Sequence, residues 1–277
     1  MIKVSQLFIY PVKSLAGISV NAAQLTDRGF QYDRRWMLVD EQNQFMTQRQ
    51  FPGMALLRTG ITEKGISVIH KKDPAKEILI PFSGFTNEKL TVKIWNDYCD
   101  AVPAEKFINE WFSDMLQFSC RLVFMPDDSL RKVDGRYAVK DNDITSFSDA
   151  YPVLVIGQSS LDDLNTRLEI TLPMNRFRPN IVITGSAPFE EDEMEEFLIA
   201  KSQFFGVKLC DRCVITTINQ DTLEKSKEPL KTLSSYRMQN NNVYFGQNVI
   251  CKKAGLVRTG DELVLLKRKN SIQFEVL

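Results

Sequence analysis

The first hundred residues alternate between short apolar runs and turn-forming residues. The runs are rich in valine, isoleucine, leucine and aromatic side chains, and glycine, proline, asparagine or aspartate stands near many of their ends. This pattern is typical of short strands in a barrel or a curled sheet. The predicted strands cover residues 7–12, 18–25, 35–40, 44–48, 66–70, 78–81 and 90–95.

The period of the pattern changes near residue 104. Phe107, Ile108, Trp111, Phe112, Met115 and Leu116 recur at helical spacing. This spacing predicts an amphipathic helix over residues 104–117. We therefore expect a domain boundary just before the helix, which gives an N-terminal β-rich domain over residues 1–100 and a second domain over residues 101–277.

The second domain is again predicted to consist mainly of strands. A helix with Leu161, Leu164 and Leu168 facing inward is expected after a cap at Ser159 or Ser160, and a short helix is expected over residues 229–236. Residues 141–149 are expected to form a polar loop, and the acidic residues 190–196 a solvated loop. The predicted strands cover residues 153–156, 180–184, 197–200, 206–209, 214–217, 243–251 and 262–266. The expected fold class is therefore mixed α+β, mainly β with a few helices.

Composition narrows the functional classes. The chain has 277 residues, of which 43% are hydrophobic and 25% charged, and its 35 basic residues balance its 35 acidic ones. A protein without a basic excess is a poor candidate for nucleic-acid binding. No apolar run approaches the ~20 residues of a membrane helix, and the start does not resemble a signal peptide, so we expect a cytoplasmic protein. One histidine and five cysteines disfavour histidine-rich zinc sites and a disulfide scaffold.

The cysteine pair Cys210 and Cys213 allows three interpretations. The two residues could be ordinary strand positions, with Cys210 packing as a small apolar side chain. They could form a redox dithiol, although such pairs usually lie at a helix N-terminus and β-branched residues follow here. One thiolate could instead bind a soft metal, with Arg212 as a neighbouring cation. Alternation along a strand places Asp211 and Cys213 on one face, so only one cysteine is expected to face a given site unless a bulge intervenes.

Basic residues with hydrogen-bonding neighbours recur at predicted strand ends. Lys13 and Ser14 follow the first strand, Arg34 precedes another, and Arg178 and Asn180 precede a third. Guanidinium, ammonium, hydroxyl and amide groups together suit the recognition of phosphate. Each arginine taken singly is typical of a protein surface, but the clusters together favour a site for a small anionic cofactor.

These motifs resemble those of the MOSC family (molybdenum cofactor sulfurase C-terminal) with its preceding N-terminal β-barrel domain. The similarity follows the order of the family along nearly the whole chain. It is carried by residues 10–14 (YPVKS), 176–182 (RFRPNIV), 210–217 (CDRCVITT), 228–233 (EPLKTL), 245–248 (FGQN) and 260–262 (GDE). The resemblance implies an N-terminal β-barrel-like domain followed by a MOSC-type β-barrel domain, and the subgroup it favours is the amidoxime-reducing, N-hydroxylated-compound reductase type.

The resemblance also implies a cofactor and site residues. The molybdenum cofactor would bind through the thiolate of Cys213. The pterin and its phosphate would be held by Lys13, Ser14, Arg34, Arg178, Asn180 and Arg212. Relatives often have serine at the position of Asp211, and this carboxylate is a candidate for proton delivery.

The implied activity is molybdenum-dependent reduction of small N-hydroxylated compounds, a detoxification reaction. Some relatives carry a fused ferredoxin domain or a membrane anchor, and neither is expected here. Electrons are therefore expected from a separate protein, such as a ferredoxin, a flavodoxin or a cytochrome-type reductase, and no nucleic acid or membrane is expected as a partner. One alternative is a non-catalytic carrier of the cofactor or of a persulfide on Cys213, and another is a plain β-rich binding module.

Overall fold

The computed structural model describes residues 1–270, 272 and 274. Over these residues the chain forms twenty-one strands, three α-helices and four 3-10 helices. The first half contains β1 (Ile2–Ile9), β2 (Ile18–Val20), β3 (Ala22–Thr26), β4 (Gly29–Phe30), β5 (Trp36–Val39), β6 (Leu57–Ile61), β7 (Gly65–His70), β8 (Asp73–Pro81), β9 (Leu90–Ile94), β10 (Asp97–Pro103), α1 (Lys106–Leu116), β11 (Arg121–Phe124) and β12 (Arg131–Lys132).

The second half continues with β13 (Ile144–Thr145), β14 (Val153–Gly157), α2 (Gln158–Thr166), β15 (Ile181–Thr184), β16 (Met194–Ile199), β17 (Ser202–Asp211), α3 (Leu230–Ser234), β18 (Met238–Gln239), β19 (Asn242–Cys251), β20 (Leu256–Arg258) and β21 (Glu262–Arg268). The 3-10 helices are Pro52–Leu56, Met174–Arg176, Glu190–Glu193 and Val214–Thr217.

Seven strands close into a barrel in the order β14–β15–β1–β21–β16–β17–β19, and β19 pairs back onto β14. The first strand of the chain therefore completes a barrel built otherwise from the C-terminal half. Ile181 and Ile183 of β15 face the apolar barrel interior, whereas Val182 packs outside it with Leu161 and Leu164 of α2. A strand covered on both faces reads as a continuous apolar run rather than an alternating one, which is why residues 180–184 could be recognised as a strand.

The remaining N-terminal strands form a half-barrel, here defined as the sheets β5–β11–β10–β9 and β6–β7–β8 together with α1. Ile108 and Phe112 of α1 are fully buried and pack with Trp36, Val68 and Leu122. The apolar spacing that predicted the helix therefore corresponds to its buried face. The helix shares its core with strands of the N-terminal half, and the division at residue 100 stays a prediction. The predicted fold class, mainly β with two barrel-like parts and a few helices, is confirmed.

Several strand predictions were wrong in detail. Residues 44–48 form only isolated bridges at Gln44 and Phe45, because the chain then turns, with the carbonyl of Thr47 accepting from the amides of Gln50 and Phe51. The predicted strand 18–25 is divided into β2 and β3. The strands β6, β10 and β11 were not predicted.

The acidic stretch 190–196 is not the solvated loop that was expected. Residues 190–193 form a 3-10 helix, and Glu191 and Asp192 are buried. Glu191 accepts hydrogen bonds from the amide of Gly157 at 3.0 Å and the hydroxyl of Ser160 at 2.8 Å, and Asp192 pairs with Arg237. Buried carboxylates require such partners. The hydroxyl of Ser160 is therefore bound to Glu191, and α2 begins two or three residues earlier than predicted, after Gly157.

Within the described residues, no helix combines the length and the apolar character that crossing a bilayer requires.

Candidate functional site

Loops from both halves of the chain meet at one cavity, here called the central cavity. Its volume is about 120 Å³, and it is continuous with an outer groove of about 780 Å³, which shares Asp149, Cys210, Asp211 and Cys213 with it. All eight residues proposed from the sequence line the central cavity: Lys13, Ser14, Arg34, Arg178, Asn180, Asp211, Arg212 and Cys213. Segments up to 200 residues apart in sequence, from Lys13 to Cys213, are thus brought together.

Cys213 lies where the chain leaves the barrel. Strand β17 ends at Asp211, and Cys213 precedes the 3-10 helix Val214–Thr217. The strand predicted over residues 214–217 is therefore wrong. The hydroxyls of Thr216 and Thr217 donate to the carbonyls of Cys213 at 2.9 Å and Val214 at 2.8 Å. Such local bonds compete with a strand ladder, and here they outweigh the β-propensity of the segment.

Both cysteines line the central cavity, as the alternation allowed only if a bulge interrupts the strand. The register of β17 shifts between Leu209 and Asp211, which breaks the simple alternation of faces. The two sulfurs still have different surroundings. Cys210 Sγ accepts from Arg212 Nη1 at 2.9 Å, and burial raises the pKa of this thiol. Cys213 Sγ accepts from Arg49 Nη2 at 3.2 Å.

Lys13 is a buried cation, only 5% exposed. Its Nζ donates to the carbonyl of Phe147 at 2.8 Å and to Asp149 Oδ1 at 2.6 Å. Burial lowers the pKa of Lys13 to about 8, although Asp149 opposes this effect. The adjacent Ser14 has a positive φ of 66°, and Gln48 Nε2 donates to its carbonyl at 2.6 Å. The turn after β1 is therefore fixed by contacts on both residues.

Arg34 and Arg178 both contact the ring of Tyr10. Their guanidinium carbons lie 4.3 and 4.4 Å from the ring centroid, which is the geometry of a cation–π contact. Arg34 also donates to the buried Asp33 at 2.6 Å. In the part of the chain that the structure describes, no carboxylate pairs with Arg178, and burial lowers the pKa of its guanidinium to about 10. A half-buried cation without a carboxylate partner favours an anionic ligand.

Asn180 and Arg212 also line the central cavity. Asn180 is 1% exposed, and its side chain bonds Arg34 Nη1 at 3.1 Å, the amide of Leu154 at 3.2 Å and the carbonyl of Phe8 at 3.2 Å. The side-chain amide of Asn180 therefore connects Arg34 to the backbone of Phe8 and Leu154. Arg212 Nη2 donates to the carbonyl of Phe177 at 2.6 Å, whereas its buried Nε has no partner among the described residues.

Asp211 lies at the junction of the central cavity and the outer groove. Its side chain is half exposed and pairs with Lys208 at 3.4 Å. The carboxylate is therefore open to solvent and close to both cysteines in sequence.

Sequence reasoning missed four residues of the site. Arg176 and Asp149 line the central cavity, Tyr10 supports its two arginines, and Arg49 contacts the sulfur of Cys213. Arg176 and Tyr10 lie inside the motifs 176–182 and 10–14, so the neighbouring site residues could have indicated their role. Asp149 ends a stretch that was expected only to be a polar loop, and no local pattern distinguishes Arg49 from a surface arginine.

The family is decided by the match of two domain models. Residues 1–119 match the MOSC N-terminal beta barrel domain, and residues 142–264 match the MOSC domain. The chain belongs to the MOSC family. The resemblance inferred from the sequence motifs is therefore confirmed.

Curated relatives agree with this assignment. The chain is 35% identical to mitochondrial amidoxime-reducing component 1 of Mus musculus, over 95% of this chain and 82% of the relative. It is 32% identical to mitochondrial amidoxime reducing component 2 of Bos taurus, over 93% and 81%. It is also 31% identical to molybdenum cofactor sulfurase of Oryza sativa subsp. japonica, over 88% of this chain and 32% of that protein. The relatives support the predicted subgroup, whereas the predicted cytoplasmic location stays a prediction.

The residues of the central cavity fit the molybdenum cofactor, which is the cofactor of this family. Five cationic side chains but only two carboxylates line the cavity, and this imbalance suits an anion that carries a phosphate. Within the described residues Arg178 has no carboxylate partner, and the buried Nε of Arg212 has no hydrogen-bond partner. Cys213 offers a sulfur donor, which is the ligand type that soft metal centres prefer.

Proposed function

We propose that this MOSC-family protein is a molybdenum-dependent oxidoreductase that reduces the N–O bond of small N-hydroxylated compounds, such as amidoximes. When bound, the molybdenum cofactor supplies a two-electron redox centre able to take an oxygen atom from such a bond. An amidoxime, two electrons and two protons then give the amidine and water. The observation that carries the proposal is one cavity lined by Cys213 and by five cationic side chains, in a chain 35% identical to an amidoxime-reducing component.

The cations of the cavity would hold the cofactor by charge and hydrogen bonds. Arg178 and Arg176 carry guanidinium groups without a carboxylate partner among the described residues, and they would bind the phosphate, since guanidinium matches phosphate geometry. The polar edge of the pterin would be contacted by Lys13, Ser14, Arg34 and Arg212. Asn180 already uses its amide within the protein, so we assign it the role of fixing Arg34 rather than a strong contact of its own.

Cys213 would be the single protein ligand to the metal. The 3-10 helix Val214–Thr217 fixes the backbone behind it, because Thr216 bonds its carbonyl through both amide and hydroxyl. A ligand held in place by the fold costs less reorganisation when the metal binds. Cys210 is expected to stay outside the coordination, because burial raises the pKa of its thiol and so disfavours the thiolate that binds a metal.

Substrate would enter through the outer groove, which opens the cavity beside Cys213 and Asp211. The carboxyl of Asp211 is half exposed and lies at this junction. We assign it the delivery of one of the two protons that the reaction consumes, since a positioned carboxyl can exchange protons with solvent. Electrons would arrive one at a time from a separate protein, such as a ferredoxin, a flavodoxin or a cytochrome-type reductase.

The proposal is tested by expression in a host that makes the molybdenum cofactor. We expect about one molybdenum per chain, and reduction of benzamidoxime when dithionite-reduced methyl viologen supplies the electrons. Cys213→Ser should lose both molybdenum and turnover. The matched control Cys210→Ser should keep most of both.

The outcomes separate the proposed enzyme from its alternatives. Molybdenum without turnover would contradict the reductase and support a non-catalytic carrier of the cofactor. A persulfide on Cys213 in place of molybdenum would support a sulfur carrier. Equal losses in the two cysteine variants would contradict the choice of ligand.

A further inference from the structure

Arg49 belongs to the N-terminal half of the chain but contacts the proposed metal ligand. Its Nη2 donates to Cys213 Sγ at 3.2 Å, across 164 residues of sequence. Arg49 follows the bridge at Phe45, in the turn where its amide also bonds Thr47 Oγ1 at 3.3 Å. The guanidinium lines the outer groove rather than the central cavity. It is therefore placed on the side of the sulfur from which substrate would approach.

A network of side chains holds this guanidinium in place. Arg49 lies over the ring of Trp95, 4.3 Å from its centroid. Trp95 occupies the turn between β9 and β10, packs on Phe45 at 4.8 Å and directs its Nε1 toward Asp149 Oδ1 at 3.4 Å. The same oxygen of Asp149 accepts from Lys13 at 2.6 Å. Arg49 is thus linked through Trp95 and Asp149 to Lys13.

From this geometry we infer that Arg49 is a positioning residue for Cys213, an inference that rests on the proposed function. It holds the sulfur in one orientation toward the cavity, and its positive charge draws electron density from the sulfur. Hydrogen bonds to a ligand sulfur are a recognised means of tuning the redox potential of a metal centre. A donor on the sulfur weakens its donation to the metal and so stabilises the reduced metal.

Trp95 acts through Arg49. Its ring restricts a long, flexible side chain that would otherwise sample many rotamers, and a restricted donor makes a better-defined hydrogen bond. The half-barrel therefore contributes to the reaction by supporting the ligand that the seven-strand barrel provides. Removal of residues that orient a metal ligand typically lowers activity about 10- to 100-fold.

The test compares Arg49→Met, Arg49→Lys and Trp95→Leu with the unmodified protein. Each is purified from a host that makes the cofactor and analysed for molybdenum. The reduction potential of the molybdenum is then measured by redox titration, with the metal followed by electron paramagnetic resonance. We expect Arg49→Met to keep most of its molybdenum, to shift the potential of the metal to more negative values, and to lower kcat for benzamidoxime about tenfold or more. Arg49→Lys should restore part of the shift, and Trp95→Leu should show a smaller shift in the same direction.

Arg121→Met is the matched control for loss of an arginine. Arg121 bonds Asn43 Oδ1 at 2.6 Å on a different face and does not line the groove, so it should leave the potential unchanged. Normal molybdenum with an unchanged potential in Arg49→Met would overturn this inference alone. Loss of most of the molybdenum in Arg49→Met would overturn it as well, because Arg49 would then hold the cofactor itself. Absence of molybdenum from the unmodified protein would overturn both this inference and the proposed function.

Discussion

Lys13 and Asp149 form an ion pair of 2.6 Å in which the cation is buried and the carboxylate is largely exposed. The pair joins the turn after the first strand to a loop of the second half, 136 residues later. Because Asp149 is open to water, it compensates only part of the desolvation of Lys13, and burial lowers the pKa of Lys13 to about 8. The charge of a cavity-lining residue therefore changes just above neutral pH.

Retention of the cofactor should fall as the pH rises through about 8. An anionic cofactor gains from charged Lys13, and this attraction is lost when Nζ releases its proton. The measurement is the molybdenum content after gel filtration at pH 7 and at pH 9.5. We expect a clear loss at the higher pH, whereas Lys13→Met should retain little molybdenum at either pH. The assignment to Lys13 would be contradicted if Lys13→Met lost as much molybdenum between pH 7 and pH 9.5 as the unmodified protein does.

Folding stability without cofactor should respond to the same titration with the opposite sign. The folded protein releases the proton of Lys13 near pH 8, whereas the unfolded chain keeps it until about the ordinary value of 10.5. Between these values the unfolded chain binds more protons, so the free energy of unfolding rises with pH. Urea denaturation of the cofactor-free protein at pH 8 and 10 should show a gain that Lys13→Met lacks.

Replacement of Arg178 by methionine should weaken cofactor binding without weakening the fold. In the described residues this guanidinium has no carboxylate partner, and burial lowers its pKa to about 10. A desolvated, unpaired charge is unfavourable in the empty protein, so its removal should leave the melting temperature of the cofactor-free protein unchanged or higher. The molybdenum content on purification should fall several-fold. An unchanged molybdenum content in Arg178→Met would contradict the placement of Arg178 in the cofactor site.

Replacement of Arg131 should weaken the fold, unlike replacement of Arg178, because the guanidinium of Arg131 is bonded to acceptors of the protein itself. It is 3% exposed, pairs with Asp97 at 2.8 Å and donates to the carbonyls of Ser146, Ser148 and Asp149. Arg131→Met leaves these acceptors without their donor, and we expect a loss of about 3 kcal/mol in the free energy of unfolding.

Urea denaturation of the cofactor-free protein measures the effect of Arg131→Met. Arg136→Met is the control, since Arg136 is an exposed arginine paired with Asp134, and it should change stability little. The loop that carries Asp149 should also lose its position in Arg131→Met, which would lower molybdenum retention as a second effect. Equal stability of the two variants would show that the loop is held by other contacts.

Much of the cavity could be predicted because its residues lie at strand ends within recognisable motifs. Lys13, Arg34 and Arg178 each stand beside residues that mark a turn, and strand ends of a barrel converge on one rim. The helix over residues 104–117 could be predicted because its buried face, Ile108 and Phe112, follows helical spacing.

Other features depend on contacts that no local pattern records. Arg49 meets Cys213 only after a turn has redirected the chain. The segment Val214–Thr217 has β-branched residues throughout, but its threonine hydroxyls bond the preceding backbone and form a 3-10 helix instead. Glu191 lies in an acidic run typical of a surface, and the donors that allow its burial come from residues 157 and 160.

Glu191 should make the folded protein less stable as the pH rises from 4.5 to 7. Burial, with the charge of Asp192, raises the pKa of this carboxyl to about 7 from the ordinary value of 4.5. In that range the folded protein keeps a proton that the unfolded chain has lost, so the free energy of unfolding falls with rising pH. Glu191→Gln removes the titration and keeps an amide that can bond Ser160. Its stability relative to the unmodified protein should therefore improve steadily between pH 4.5 and 7.5.

Glu190→Gln is the control from the same 3-10 helix. Desolvation acts to raise the pKa of Glu190, but hydrogen bonds from Arg268 and the amide of Ala187 lower it overall. Its stabilising contribution is thus already complete above pH 4.5, and the difference between Glu190→Gln and the unmodified protein should stay constant over the same range. Urea denaturation at intervals of half a pH unit gives both differences. A flat difference for Glu191→Gln would mean that this carboxyl ionises normally, and that Gly157 and Ser160 bind it as a charged group.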